Sequence, residues 1–386
     1  MDVLIVGNGP SGMCAAMACS GWWPYLVRDW RGLDRSRSLL YADWPSVGEH
    51  LSGRSPNPVS RLFDHLLQPQ ADTASTRQPP LLELRHHPER ALKFQLIGSG
   101  PLGGCWSEMA TTTRCLSPGA WMELPPTPRF SADLGQERPL RGAVLGYFQE
   151  YARAHGIASQ QDRVLSLRVR EDAWQAELAS GKSLRARHVI LAGGMFDIPK
   201  RLGVPGEELE LVRHRVELPA EPSRVLVVGA GLSAADAVVR LLLGGHKVVH
   251  LFREQDRYNL SLYGTETAFY PDYSGVFQLM AGRKLHPRYS PLAGARILCF
   301  EDRGARLDSG FLSVDRSLVL IGSRPDLEFL PARIDREGLV RVDPWSHRTE
   351  LPGVYALGPL AGDNFVRFVI GGPWAALRDI LRKELV

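Results

Sequence analysis

The feature that most constrains this chain is a glycine-rich turn near its N-terminus, set between a short apolar run and a helical pattern of small residues. Residues 2–6 form the apolar run, Gly7-Asn8-Gly9-Pro10-Ser11-Gly12 follows it, and residues 13–20 have the helical pattern. The first glycine permits a tight turn, the second lets a pyrophosphate approach the backbone, and the third lets helix and strand pack closely. The helix N-terminus then faces the phosphates. This order predicts a dinucleotide-binding domain, although a bare glycine motif also occurs in ordinary turns.

A second turn of the same kind lies in mid-chain. A predicted strand over 224–228 leads into Gly229-Ala230-Gly231-Leu232-Ser233-Ala234, and a helix follows over 235–243. The next strand, 247–252, is followed by Arg253, about 24 residues after the first glycine of the turn. An arginine there suits a 2′-phosphate, whereas an acidic residue would suit the free hydroxyl of NAD. The sequence therefore predicts a second dinucleotide site that prefers NADPH, with a solvated surface arginine as the alternative.

The two turns predict an α/β fold with two Rossmann-like dinucleotide-binding domains, the second inserted into the first. The expected ranges are 1–215 and 316–386 for the first domain and 216–315 for the second. Residues 30–90, rich in Arg, Ser and Pro, indicate an insertion within the first domain. They contain one helical stretch, 59–67.

The acidic residue that usually binds the adenosine ribose, about 20 residues after the turn, is not clearly placed. Asp29 is the nearest candidate, and a plain surface aspartate is an equally good interpretation. After the insertion, a predicted strand over 92–97 leads to Gly103-Gly104-Cys105-Trp106. In the last third of the chain, Gly358 and Gly362-Asp363-Asn364 precede a final helix that begins at Gly371-Gly372-Pro373.

Composition excludes several classes of function. The formal net charge is +4, but basic and acidic residues are interspersed, so no nucleic-acid surface is predicted. The five cysteines form no CxxC pair and no metal-binding spacing. Cys14 and Cys19 lie on one predicted helix and point about 140° apart, which argues against a disulfide reductase. The most apolar stretch contains Asp236 and Arg240, and no basic signal region is present, so we expect a cytoplasmic protein without a membrane span.

Several motifs together make the chain resemble the class B flavin monooxygenases and, more closely, the oxidative-stress-induced growth inhibitor family. They are VGNGPSG at 6–12, GRSPNPVSRLFDHLL at 53–67, GPLGGCW at 100–106, WMELP at 121–125, GAGLSAADAV at 229–238 and ALGPLAGDNFVRF at 356–368. The resemblance extends over nearly the whole chain, and the last motif is the most specific.

The resemblance implies FAD at the first site and NADPH at the second. The residues expected to contact FAD are Gly7, Asn8, Gly9, Pro10, Ser11, Gly12, Gly103, Gly104, Trp106, Gly358, Asp363 and Asn364. The residues expected to contact NADPH are Gly229, Gly231, Leu232, Ser233 and Arg253. The N-terminus of the final helix would face the negative charge of a reduced flavin.

The implied reaction is an NADPH- and O2-dependent oxygenation of a small-molecule substrate through a flavin hydroperoxide, of the N-, S- or Baeyer–Villiger type. The FxGxxxH signature of flavin monooxygenases survives only as His214, a catalytic candidate for which a structural role is the competing interpretation. Residues 258–277, with Tyr263, Phe269, Tyr270 and Tyr273, could wall a substrate pocket or simply pack.

Two other functions stay open. One is a regulatory protein that binds FAD and NADPH and has weak NADPH oxidase activity. The other is an NADPH-dependent flavin dehydrogenase. The expected partners are the small-molecule substrate and O2, and the formation of a homodimer is left open.

Overall fold

Short apolar runs that end in small residues build two parallel sheets. The structure is a computed structural model that describes residues 1–72, 78–109, 111, 113–127, 138–258, 271–336 and 338–384. Strands covered on both faces need continuous apolar runs, and Val3 in the first sheet and Leu226 in the second are fully buried. The predicted α/β fold with two Rossmann-like halves is confirmed.

The described helices are α1 (Pro10–Cys19), α2 (Trp44–Gly48), α3 (Pro58–Leu67), α4 (Cys105–Glu108), α5 (Arg141–Ala154), α6 (Leu232–Leu243), α7 (Pro271–Met280) and α8 (Gly371–Glu384). The described strands are β1 (Val3–Val6), β2 (Trp22–Leu26), β3 (Leu82–His86), β4 (Phe94–Gly98), β5 (Ser159–Gln161), β6 (Val164–Arg170), β7 (Ala173–Leu178), β8 (Ser183–Ala186), β9 (His188–Leu191), β10 (Ile198–Pro199), β11 (Val212–Arg213), β12 (Arg224–Val228), β13 (Lys247–Phe252), β14 (Tyr289–Ala293), β15 (Ile297–Glu301), β16 (Gly304–Leu307), β17 (Gly310–Ser313), β18 (Arg316–Val319), β19 (Ser323–Arg324), β20 (Asp335–Arg336), β21 (Leu339–Val340) and β22 (Val354–Ala356). Within the described part of the chain, no helix has both the length and the apolarity that a membrane crossing needs.

The first sheet has five parallel strands in the order β22-β9-β1-β4-β5. β1 lies at its centre, with Val3 opposite Phe94 of β4 on one side and His188 of β9 on the other. In a doubly wound parallel sheet, ligands bind at the carboxyl ends of the central strands, where the strand order reverses. The turn that follows β1 therefore lies at the ligand edge.

The predicted insertion contributes β3 and α3, and β3 pairs with β2, which precedes the insertion in the chain. β2 and β3 make an antiparallel pair, with Trp22 opposite His86. The predicted helix is confirmed as α3, whose apolar side chains face the core, and the ring of Phe63 stacks on Trp374 of α8 at 5.8 Å. The insertion is thus anchored to the last helix by burial of large aromatic side chains.

The second sheet, β11-β18-β12-β13-β14, is also parallel throughout. β12 and β13 have the predicted bounds, whereas α6 begins at Leu232, earlier than the predicted residue 235. A three-stranded antiparallel sheet, β15-β16-β17, follows β14 in the chain.

The chain divides into two compact units, one of Met1–Met195 with Pro325–Val386 and the other of Phe196–Arg324. The second unit begins earlier and ends later than the predicted range of 216–315. The reason is strand pairing: β11 adds to the second sheet beside β18, and β10 pairs with β19, with Ile198 opposite Arg324. These pairings place residues 196–215 in the second unit.

Candidate functional site

The first glycine turn connects β1 to α1 with almost no free space around its backbone. Gly7 has a φ of +115°, and a Cβ added there would lie 2.3 Å from the carbonyl carbon of Ala192. A Cβ at Gly12 would lie 1.8 Å from the carbonyl oxygen of Gly7. Gly9 caps α1 without any side-chain hydrogen bond, so the amides of the first helical turn are left for an anion.

Gly103 and Gly104, the second glycine segment predicted for the first site, lie directly against this turn. Gly104 has a φ of +57°, and a Cβ there would lie 3.0 Å from the Cα of Gly9. The amide of Gly103 donates to the carbonyl of Asn8 at 3.1 Å. Trp106 follows in α4 and packs edge-on against Phe148. The structure therefore brings the two predicted glycine segments, which are about 95 residues apart in sequence, to one place.

Two predicted cofactor residues of the first turn direct their side chains into the protein. Asn8 is buried, and its Nδ2 donates to the carbonyl of Gly100 at 2.9 Å and to Ser159 Oγ at 3.2 Å. Ser11 is also buried, and its Oγ lies 2.1 Å from the position that a Cβ of Gly358 would occupy. Asn8 and Ser11 thus shape the turn, and contact with a ligand falls to the backbone and to partly exposed residues such as Pro10.

The ribose candidate Asp29 lies in a different place from the one expected. The strand beside β1 is β4, and it ends at Gly98, where Asn8 fills the space a side chain would need. Asp29 instead follows β2, which pairs with β3 in a separate two-stranded sheet, and it accepts a hydrogen bond from the amide of Arg35. Asp29 therefore follows a strand that does not belong to the five-stranded parallel sheet.

Asp363 is buried, with 1% of its surface exposed, and its carboxylate accepts three hydrogen bonds from the insertion. The donors are Ser55 Oγ at 2.5 Å, Ser60 Oγ at 2.8 Å and Asn57 Nδ2 at 3.1 Å. Burial raises the pKa of Asp363, against the opposing effects of His347 and the three donors. Because a carboxylate has about four acceptor positions, only one is left for a ligand. The neighbouring Asn364 is exposed.

The N-terminus of α8, predicted to face a reduced flavin, packs closely against α3 of the insertion. Gly371 and Gly372 are buried, and a Cβ at Gly371 would lie 2.6 Å from the carbonyl oxygen of Val59 in α3. A Cβ at Gly372 would lie 3.1 Å from Cε1 of His347, which is itself fully buried. The two glycines therefore allow α3 and His347 to pack closely against the first turn of α8.

The second glycine turn is more open than the first. Gly229 has a φ of +125°, and a Cβ there would lie 2.3 Å from the carbonyl oxygen of Leu320. At Gly231, by contrast, an added Cβ would meet no atom within 4 Å. Gly231, Leu232 and Ser233 are exposed, and α6 has no side-chain N-cap. This helix start can receive a pyrophosphate from solvent.

His250 supports the second turn from within the sheet, a role that sequence reasoning missed because the residue sits inside an apolar strand. It is fully buried, its Nε2 lies 2.7 Å from the carbonyl oxygen of Gly229, and its Nδ1 lies 2.9 Å from the hydroxyl of Tyr289. Burial lowers its pKa from 6.5 to about 4. A neutral ring that donates from Nε2 and accepts at Nδ1 satisfies both contacts.

Arg253 lies at the predicted strand end, with its side chain 73% exposed. Its guanidinium is held by Asp256, with Nε 2.8 Å from Oδ2 and Nη2 3.0 Å from Oδ1. A 2′-phosphate at this position would share the guanidinium with Asp256 or displace it. The three-residue spacing of Arg253 and Asp256 could have indicated this pair, because it places both side chains on one helical turn.

His214 follows β11 at the carboxyl end of the second sheet and is mostly buried. Its Nε2 lies 4.0 Å from Oε1 of Glu207, and within the described structure neither ring nitrogen has a hydrogen-bond partner. Glu207, which sequence reasoning missed, accepts hydrogen bonds from the amides of Leu202, Gly203 and Val204. Glu207 therefore holds a loop, and His214 keeps unused hydrogen-bonding capacity.

The remaining candidates are the cysteines and the aromatic run. All five cysteines are free, and burial raises the pKa of Cys14 far above its usual value and that of Cys19 to about 12. Both thiols are thus protonated and unreactive at neutral pH. Of the aromatic residues singled out, Tyr263, Phe269 and Tyr270 lie outside the described residues, and Tyr273 is buried in α7.

Comparison with known proteins places this geometry among flavin and pyridine nucleotide enzymes. Residues 90–285 match the family described as pyridine nucleotide-disulphide oxidoreductase. The chain is 32% identical to human oxidative stress-induced growth inhibitor 1, over 100% of this chain and 96% of the relative. It is 29% identical to human oxidative stress-induced growth inhibitor 2, over 99% of this chain and 93% of the relative.

Two solved structures share the fold at low sequence identity. The bacillithiol disulfide reductase Bdr from Staphylococcus aureus is 16% identical, with a TM-score of 0.69, and covers 100% of this chain and 99% of its own. The flavin-containing monooxygenase from Stenotrophomonas maltophilia is 17% identical, with a TM-score of 0.62 and coverage of 99% and 98%. Each is an example of the architecture with two nucleotide-binding halves.

Proposed function

Because this chain belongs to the oxidative stress-induced growth inhibitor family and to the pyridine nucleotide-disulphide oxidoreductases, we propose that it is an FAD- and NADPH-dependent monooxygenase. The observation that carries the proposal is a pair of helix starts without side-chain caps, at Gly9 and at Gly231, each after the central strand of a five-stranded parallel sheet. Two dinucleotide sites in one chain suit a reaction in which one nucleotide reduces the other.

The residues around the first turn fit FAD. The amides that follow Gly9 would bind the pyrophosphate, with Gly104 and Trp106 beside them and Asn364 as an exposed polar side chain. Bound FAD would accept a hydride from NADPH and activate O2, so that one oxygen atom reaches the substrate and the other leaves as water. The protein's part is to orient the substrate and to exclude bulk water from the reacting centre.

The residues around the second turn fit NADPH. Gly231 and Ser233 would receive the pyrophosphate, and Arg253 would bind the 2′-phosphate in competition with Asp256. His214 has free hydrogen-bonding capacity at the carboxyl edge of the same sheet, which supports a role in contacting the nucleotide. The substrate would be a small molecule with a soft nucleophile or a carbonyl group.

The test is a reduction without oxygen followed by exposure to O2. Protein reduced by NADPH should convert an amine, a sulfide or a ketone to its oxygenated product, with little hydrogen peroxide released. Protein reduced by dithionite without nucleotide should give less product, because no bound NADP would shield the reduced flavin from water. If both give only hydrogen peroxide with every substrate, the monooxygenase proposal is wrong.

A second candidate is a regulatory flavoprotein that oxidises NADPH slowly and releases hydrogen peroxide. It is favoured by the absence of most of the FxGxxxH signature and by the name of the human relatives, which describes them as growth inhibitors. NADPH consumption that is independent of any oxygenation substrate would support it. Rapid turnover of an artificial electron acceptor without O2 would instead support a flavin dehydrogenase.

A further inference from the structure

Two pairs of opposite charges lie beside the segment that follows Asp363, and one of them, Arg367 with Asp64, is buried, whereas the Asp72 side chain is 39% exposed. Arg367, 1% exposed, places its Nε 3.0 Å from Asp64 Oδ1 and donates through Nη2 to Asp64 Oδ2 at 3.0 Å and to Asp72 Oδ2 at 2.5 Å. Arg54 pairs with Asp72 at 3.0 Å. We name these four residues the Arg367 cluster. Its formal charges cancel when all four side chains are ionised.

Aromatic rings cover the cluster. Trp121 lies over both guanidinium groups, 4.3 Å from Arg367 and 5.0 Å from Arg54. Phe368 lies 4.6 Å from Arg367, and Phe365 lies 5.1 Å from Arg54. The cluster and its cover therefore unite three of the motifs that carried the family resemblance: residues 53–67, 121–125 and 356–368. Neither glycine turn uses these side chains.

Joining two segments through buried charged side chains costs free energy of desolvation. Removing ions from water costs free energy, and apolar residues of similar volume often stabilise a core equally well. The best-attested use of buried ion pairs is to select one register between segments. Here the segments are α3, which carries Asp64, and the segment 363–368, which carries Arg367.

That segment is hydrogen-bonded to Gly358, which lies beside the first turn of α1. The Oγ of Ser11, in the first turn of α1, reaches the space where Gly358 lacks a side chain, and the amide of Asp363 donates back to the carbonyl of Gly358 at 3.0 Å. Between Asp363 and Arg367, both held by the insertion, Asn364 is the exposed residue. The insertion thus fixes this short stretch at its two ends.

We propose that Asp64 and Arg367 are positioning residues for FAD, which hold the 363–367 stretch on α3 so that Asn364 is presented beside the first turn of α1. The inference rests on the proposed function, because it assumes FAD at that turn. Neither residue is assigned a contact with the cofactor. They act through the backbone of the segment between Asp363 and Arg367.

Protonation of Asp64 supplies a readout that separates this role from general stability. Burial raises the pKa of Asp64 to about 7, Asp72 adds to the rise, and Arg367 and Arg54 oppose it; His65 is its titratable neighbour in α3. Because the folded pKa lies above the unfolded value of 3.8, this group adds stability as the pH falls from about 7 to 4. As the pH falls through about 7, Asp64 becomes protonated and Arg367 loses a charged partner. FAD affinity should therefore fall while the stability of the protein rises.

The test compares Arg367→Met with Arg378→Met in the full-length protein freed of its flavin. Arg378 is a matched control: it is also buried, its guanidinium lies 4.3 Å over Trp44, and it donates to the carbonyl of Ala42, so it too joins the insertion to the C-terminal part of the chain. Titration with FAD should give a dissociation constant raised about tenfold or more by Arg367→Met and changed less than about twofold by Arg378→Met. Arg367→Lys should restore part of the affinity.

Wild-type FAD affinity in a folded Arg367→Met protein would overturn the proposal, and so would an equal loss in Arg378→Met at equal thermal stability. Should Arg367→Met not fold, Asp64→Asn decides between the two roles. In the wild-type protein, FAD affinity should decline between pH 8 and pH 6, a window on the order of one pH unit either side of the Asp64 pKa. In Asp64→Asn this decline should be absent. An unchanged decline would contradict the inference. A wild-type protein that binds no FAD would overturn the proposed function instead.

Discussion

The guanidinium of Arg253 and the carboxylate of Asp256 form a bidentate pair, with Nε 2.8 Å from Oδ2 and Nη2 3.0 Å from Oδ1. The arginine side chain is 73% exposed, so the pair contributes little to stability and can open. Asp256 therefore competes for the guanidinium that we propose binds the 2′-phosphate of NADPH.

Arg253→Ala should weaken NADPH binding roughly tenfold to a hundredfold, since charge-assisted hydrogen bonds contribute about 1.5–3 kcal/mol. NADH, which lacks the phosphate, should bind almost as before. Asp256→Asn is the matched variant and should strengthen NADPH binding, because it removes the competing charge. Calorimetric titration with both nucleotides measures these effects. An equal loss of NADPH and NADH in Arg253→Ala would show that this arginine does not discriminate between them.

Gly9→Val should abolish FAD binding, because its side chain would stand where the pyrophosphate must approach the amides of α1. Gly231→Val provides the reciprocal control at the second turn, where an added Cβ meets open space. That variant should keep its flavin and lose NADPH. Flavin content from the visible spectrum and NADPH-dependent reduction of the flavin check both outcomes. Full flavin content in Gly9→Val would refute the assignment of the first turn.

Asp363→Ala should destabilise the protein by about 1–3 kcal/mol, because it leaves the buried donors of Ser55, Ser60 and Asn57 without their acceptor. Asn364→Ala, one position along the chain but exposed, should change the free energy of unfolding by less than about 0.5 kcal/mol. Urea unfolding of the flavin-free proteins measures both values. Equal effects of the two substitutions would contradict the anchoring role of Asp363.

The buried His250 should make part of the protein's stability depend on pH. Its folded pKa of about 4 lies below the unfolded value of 6.5, so the unfolded chain takes up this proton first as the pH falls. The stability that this group contributes above pH 6.5 is therefore lost between about pH 6.5 and 4. His250→Gln should flatten the stability curve in that window and leave its shape above pH 6.5 unchanged. Thermal unfolding across the pH series tests this.

Features encoded in neighbouring residues could be predicted closely from the sequence. β12 and β13 have the predicted bounds, and α3 begins one residue before the predicted helix. A glycine turn between an apolar run and a helix pattern depends only on the φ angles and side-chain volumes of adjacent residues. The order of strand, turn and helix in both halves therefore followed from local rules.

Partners that are distant in sequence could not be predicted in this way. Ser55 and Asp363 are separated by 308 positions, and nothing in either segment alone indicates that one will hold the other. Asp29 was misplaced for the same reason: the identity of the strand beside β1 depends on how the insertion packs.

The sequence by itself thus determined the class of fold, the two glycine turns and the family, because backbone geometry and hydrophobic period are properties of short segments. Only the tertiary structure decided that Asp363 is enclosed, that α3 covers the start of α8, and that Arg367 lies between Asp64 and Asp72. A buried charge or polar group must find its partner wherever packing brings one, and packing is set by the whole chain at once.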